Sequence, residues 1–217
     1  MKRAALLSIV ILVIALLVYL VRVKPADPVP PPAVSAAPTV APPPATTQAA
    51  AVKMNIPPPA PNVSPAFTSF LLRDSKQLES MSVDSVAAEK SENETAAQMG
   101  APEVNYAREL ALTAQAPANQ RILAVDLLGR APSRLTGQAL DDIITKGMNS
   151  ARAEPHTVEE LSNVQAKAFA VMAVDAIADR AVSDPAERTH LQSLFAQATD
   201  STIKKHIAER IRTLPPL

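Results

Sequence analysis

The sequence predicts an all-α protein with an N-terminal transmembrane helix, an extended proline-rich linker and a C-terminal antiparallel helical domain. Three observations predict it. An unbroken apolar run occupies Ala4–Val21. Fourteen of the 21 prolines fall between Pro25 and Pro65. From Ala66 onward no alternating apolar run, Asn-Gly turn or Asp-Gly turn marks a strand. The divisions are 1–24 for the anchor, 25–65 for the linker, 66–100 for a helical or flexible polar segment and 101–217 for the helical domain.

The anchor rests on length and flanks. Eighteen residues at 1.5 Å each span about 27 Å as a helix, close to the hydrocarbon thickness of a bilayer. Only Ser8 and Tyr19 in Ala4–Val21 are not plainly aliphatic. Lipid offers the backbone no hydrogen-bond partner, so such a run must be helical there. Tyr19, Arg22 and Lys24 sit at the end of the run, where interfacial anchors belong. A cleaved signal peptide is the alternative, but Lys24 and Pro38 spoil the small-x-small sites at Ala26 and Ala37. Lys2 and Arg3 bias the short N-terminus toward the cytoplasm. The expected location is the inner (cytoplasmic) membrane, with the C-terminal domain outside the cytoplasm and residues 4–21 contacting lipid.

The linker contains Pro28-Val-Pro-Pro-Pro32, Pro42-Pro-Pro44 and Pro57-Pro-Pro-Ala-Pro61. Proline fixes φ and lacks a donor, which favours polyproline II over helix or sheet. At about 3.1 Å per residue the segment reaches on the order of 120 Å when fully extended. It reads as a spacer; a Pro-x-x-Pro docking site is the alternative, with Lys53 its only basic residue. An anchor followed by such a linker resembles the N-terminal organisation of TonB-like energy transducers. That family uses a membrane-embedded His and a small mixed α/β domain, whereas Ala4–Val21 has no His and the end of this chain reads helical.

Beyond the linker, Phe67, Phe70, Leu71, Leu78 and Met81 give Ala66–Met81 an amphipathic helix. Ser82–Gln98 is polar, with Lys90-Ser-Glu-Asn-Glu94 in its middle, and reads as a solvated helix or a flexible stretch. Ala101-Pro102, Ala116-Pro117 and Ala131-Pro132 then recur every fifteen residues. Proline suits the first helical turn, so these pairs open helices over Glu103–Gln115, Ala118–Arg130 and Ser133–Met148. Gly100, Gly129 and Gly147 stand where C-terminal stops are expected. Glu154–Ala181 reads as one long helix, with Thr157 and Glu160 in capping-box spacing and Ala168, Ala170, Ala173, Ala176 and Ala178 allowing close approach. Asp184-Pro185 opens a helix ending near Thr199. Asp200 caps the last, whose Ile203, Ile207, Ile211 and Leu214 share one face. Very short connections make neighbours antiparallel.

Arg121-Ile-Leu-Ala124, Lys167-Ala-Phe-Ala170 and Lys205-His-Ile-Ala208 repeat a basic-x-x-Ala tetrad, 46 and 38 residues apart. With the Leu128-Gly129 close of the first copy, residues 102–214 resemble HEAT-like helical repeats. The later copies lack that close. The resemblance implies stacked helix pairs; an irregular helical bundle is the alternative.

Lys+Arg and Asp+Glu are equal at 21 each, aromatics are 3% and Cys is absent. Those counts exclude disulfides and thiolate sites, and argue against a nucleic-acid partner. Charge divides unevenly: +4 over Met1–Lys24, −3 over Pro25–Gly100 and −1 over Ala101–Leu217. No phosphate loop, Gly-x-Ser-x-Gly elbow or His-Glu-x-x-His occurs. His156, His190 and His206 lie on separate helices or their ends and read as solvated or capping groups. Asp141-Asp142 and Glu159-Glu160 are adjacent, hence about 100° apart on a helix, and do not converge. Asn62-Val-Ser64 and Asn93-Glu-Thr95 match glycosylation triplets that are common by chance. No catalytic, cofactor-binding or metal-ligating residue is singled out, and no cofactor or small-molecule substrate is expected. The expectation is a non-enzymatic adaptor with a protein partner on the helical domain. The alternative is an accessory structural subunit of a membrane or cell-envelope complex.

Overall fold

The computed structural model describes residues 56–80, 85–150 and 153–216. The anchor run Ala4–Val21 and the linker up to residue 55 lie outside these residues. Among the described residues no helix is long and apolar enough to cross a membrane.

The described residues form eight helices and no strand: α1 (Pro65–Ser80), α2 (Ser85–Ala97), α3 (Ala101–Leu112), α4 (Ala118–Arg130), α5 (Ser133–Met148), α6 (Val158–Arg180), α7 (Pro185–Gln197) and α8 (Ser201–Thr213). Local chemistry explains the limits. The Asp200 carboxylate accepts from the amides of Thr202 at 2.9 Å and Ile203 at 3.0 Å, opening α8. The Asp184 carboxylate accepts from Ala186 at 2.9 Å, one residue after Pro185 has set φ for α7. Thr157 Oγ1 accepts from the Glu160 amide at 3.1 Å and opens α6 three residues later than Glu154. Glu160 reaches back to the His156 amide at 2.6 Å rather than to Thr157. His156 itself turns through the left-handed region at φ 65°. The polar stretch after α1 contains a helix, α2.

The glycines do not act as stops. None has a positive φ. Gly100 is the N-cap of α3, where its amide donates to Glu103 Oε2 at 3.0 Å. Gly129 and Gly147 lie inside the last turns of α4 and α5, where each meets α6. A Cβ at Gly129 would fall 2.9 Å from Ala176 Cβ, and one at Gly147 would fall 2.8 Å from the Ala166 carbonyl oxygen. The absence of side chains lets the helix backbones approach closely; φ has no part in it.

Directions follow from the contacts. Gly147 meets Ala166 and Ala170 while Thr136 Oγ1 meets Arg180 at 2.9 Å, so α5 and α6 are antiparallel. Arg121 meets Gln165 while Gly129 meets Ala176, so α4 and α6 run parallel. Lys167–Asp200 and Asp179–Arg210 make α8 parallel to α6 in the same way. One core runs through these helices from Val63 to Ile207. Phe67, Phe70 and Leu71 of α1 and Ala96 of α2 enter it, so residues 66–100 share the core of 101–217. Ala170, Ala173 and Ala178 are fully buried, whereas Ala168 faces outward. Ile203 and Ile207 are fully buried, with Ile211 and Leu214 packed at the edge.

Candidate functional site

Two buried guanidinium groups lock the helices together. Arg121 Nε donates to the Ala111 carbonyl at 3.1 Å, Nη1 donates to Gln165 Oε1 at 2.9 Å, and the group stacks 4.5 Å from the Phe169 ring centroid. It thereby ties the end of α3 and the start of α4 to α6. Burial lowers its pKa to about 10, still charged at neutral pH. Arg180 Nη2 lies 2.8–2.9 Å from the carbonyls of Leu128, Gly129 and Ala131 and from Thr136 Oγ1. Those carbonyls end α4 and lack intrahelical donors, so a cation from α6 satisfies them.

The acidic pairs and histidines of the sequence fall into separate inter-helix contacts. Asp142 pairs with Arg108 of α3. Asp141 pairs with His190 Nε2 of α7 at 2.9 Å, and His190 Nδ1 lies 3.4 Å from Glu187. Burial raises the Asp141 carboxyl, and Asp142 and Glu187 add to this against the pull of His190. The two adjacent carboxylates thus diverge, each to a different helix. His206 pairs with Asp175 at 2.8 Å, beside Arg210. Sequence distance hides these pairings, which place two of the three histidines between helices rather than in solvent. His156 and Glu159 are exposed, while Glu160 holds the His156 turn. Asn62 is an exposed turn residue, and Asn93 Oδ1 accepts from Arg130 Nη1 at 2.9 Å. Among the described residues no group of three or more His, Asp or Glu side chains converges on a metal position. A depression of about 500 Å³ between α3 and α5 is lined by Leu112, Asp142, Thr145, Lys146 and Asn149. Its one carboxylate is already paired with Arg108.

The tetrads have unequal surroundings. Arg121 reaches α6, and Lys167 Nζ holds Asp200 of α8 at 2.8 Å. Ala124 and Ala170 are fully buried. In the last copy Lys205 and Ala208 are exposed.

One apolar feature stands outside the core. The start of α8, at Asp200, meets α6 at Lys167, beyond the first turns of α6. There Val158, Leu161 and Val164 are 72%, 59% and 50% exposed, and Ala168 continues their line. Among the described residues no other helix exposes three large apolar side chains in successive turns. Glu154 and Glu159 flank the line, and Glu154–Ala166 contains no Lys or Arg. The sequence conceals the exposure of this line because Val158, Leu161 and Val164, set among Glu159, Glu160, Ser162, Asn163 and Gln165, read as a stripe that a neighbour buries. The three-residue spacing of Val158, Leu161 and Val164 is its only sign there. Compared with known proteins, the chain matches no protein-family model, no curated protein and no solved structure.

Proposed function

We propose that the chain is a membrane-anchored, non-enzymatic protein-interaction adaptor that presents its helical domain on a proline-rich spacer. The bare line Val158–Leu161–Val164 carries this reading, because large apolar side chains in successive helical turns are costly to leave in water. Its occupant is an amphipathic helix of a partner protein, with apolar residues at helical spacing and basic residues facing Glu154 and Glu159. The anchor rests on the apolar run Ala4–Val21 and its basic flank Arg22 and Lys24. Holding the domain at a membrane raises its local concentration toward membrane-bound partners.

The helices are read as HEAT-like stacked pairs, α3–α4, α5–α6 and α7–α8. Support comes from the parallel run of the second helices α4, α6 and α8, which carry the three tetrads. The first two basic residues each reach the next second helix, through Gln165 and Asp200.

The test compares affinity-tagged full-length chain with its Leu161→Asp variant in native membranes. The proposal expects a salt-sensitive partner to be depleted at least tenfold by the variant, with membrane retention and helicity unchanged. Equal recovery of that partner would refute the α6 site. A salt-resistant stoichiometric assembly unaffected by Leu161→Asp would instead identify an accessory structural subunit.

A further inference from the structure

Helix α2 has no apolar side chain larger than alanine on its inward line. Its inward line is Ala88, Ser91, Glu92, Thr95 and Ala96, of which only Ala96 is fully enclosed. Glu92 stands in the middle of that line, its side chain 17% exposed and 3.0 Å from Arg130 Nη2 of α4. Arg130 is shared. Its Nε lies 2.6 Å from Asp126, and its Nη1 donates to Asn93.

The charges facing Glu92 come from three helices. Helix α4 contributes Asp126 and Arg130, α1 contributes Asp74, and α2 itself contributes Glu89. Asp74 is buried and pairs with Arg73 at 2.7 Å, a residue turned largely to solvent. Four carboxylates thus share a seam with one inward guanidinium and one outward one.

We propose that α2 is a proton-operated latch: a proton on Glu92 seats it against α4, and loss of that proton loosens it. The proton removes the charge whose burial is costly and ends the repulsion from Asp126, Asp74 and Glu89. Arg130 keeps Asp126 and Asn93, so it is not stranded when Glu92 becomes neutral. Burial first, then Asp126, pushes the Glu92 carboxyl from 4.5 up to about 7, with Arg130 opposing. A raised pKa in the docked state means docking takes up a proton. Docking is therefore strongest below the ordinary carboxylate range and weakens as pH rises to about 7, then levels. That interval corresponds to a ceiling of roughly 300-fold in the docking equilibrium, which solvent screening at the seam reduces to about 10- to 100-fold. The latch is independent of what α6 binds.

Hydrogen exchange of the full chain from about pH 5.5 to 8.5, corrected for intrinsic rates, tests it, with α8 as internal reference. The latch expects α2 protection to fall about 2- to 10-fold, relative to α8, across that range, which covers only the upper part of the interval. It expects Glu92→Gln, which keeps the shape without the charge, to be protected evenly throughout. A flat wild-type profile for α2, or an undiminished pH response in Glu92→Gln, would overturn it. Asp126→Asn serves as the second variant, because it removes the largest repulsive charge. The midpoint of the α2 transition should then move to lower pH, and an unmoved midpoint would also overturn the latch.

Discussion

Gly147 and Gly137 lie in the same helix, ten residues apart, and alanine should have opposite effects at the two. At Gly147 the new Cβ would lie 2.8 Å from the Ala166 carbonyl oxygen and closer still to Ala170 Cβ. Neither obstacle can swing aside, since one is backbone and the other is itself a Cβ. Comfortable carbon–carbon separation is about 3.5–4.0 Å, so α5 and α6 would have to part by about 1 Å. Overpacking of this kind costs about 1–3 kcal/mol, and the upper end applies because this is the most extensive helix interface in the domain. Exchanging glycine for alanine within a helix returns about 1 kcal/mol. The net loss is about 2 kcal/mol, or a melting temperature lower by about 4–8 °C. At Gly137 nothing lies within 4 Å of the added Cβ, so only the helix-propensity gain remains. Gly137→Ala should raise stability by about 0.5–1 kcal/mol. Denaturation of the full chain followed by circular dichroism at 222 nm decides it. Both variants shifting in the same direction would refute the close-approach account of Gly147.

Ile207→Asp should cost several kcal/mol, because it sets a carboxylate into a fully enclosed apolar site, whereas Lys204→Ala loses only a contact 5.2 Å over the Phe195 ring; equal melting temperatures would contradict this. Arg180→Met removes the donor serving Leu128, Gly129, Ala131 and Thr136, and should cost about 3 kcal/mol, measured by urea denaturation. Stability should also peak in mildly acidic solution. Burial alone would raise the Glu103 and Asp200 carboxyls, but the Ser64 and Gly100 amides outweigh it at Glu103. Lys167 with the Ile203 and Thr202 amides does the same at Asp200, so both pKa values are lowered. Their contribution is present above the ordinary carboxylate range and lost as pH falls through the lowered values, while Glu92 contributes in the opposite sense toward pH 7. Denaturation midpoints read from about pH 3 to 9 should therefore peak at about pH 4.5–5; a monotonic rise to pH 9 would contradict the assignment of Glu92.

Residues that act only on their own helix are legible in the sequence. Pro117 and Pro132 mark the openings of α4 and α5, Asp200 that of α8, and Ile203 and Ile207 its buried face, because each acts within one or two turns. Residues whose meaning depends on a second helix are not legible in that way. Gly129 and Gly147 have the composition of helix stops and the location of helix crossings, and only α6 distinguishes the two. Glu92 stands in a run of polar residues that reads as solvated, and Arg130, 38 residues on, brings it inside. Ala168 and Ala170 are the same residue type two positions apart in an apolar helix, so which one faces outward is settled by where α5 packs. The line Val158–Leu161–Val164 is hidden for the same reason: its exposure is a property of the neighbours that stop short of it.

The central claim, a partner seated on the first half of α6, is tested most directly by site-specific photocrosslinking of the full-length chain in native membranes. A photoreactive residue replaces Leu161 in one variant and Lys205, exposed on α8, in another. A partner on α6 predicts one dominant protein adduct from position 161, abolished by Glu159→Lys, and none of that mass from position 205. Equal labelling from both positions, or no adduct at 161 while the chain remains in the membrane fraction, would contradict it.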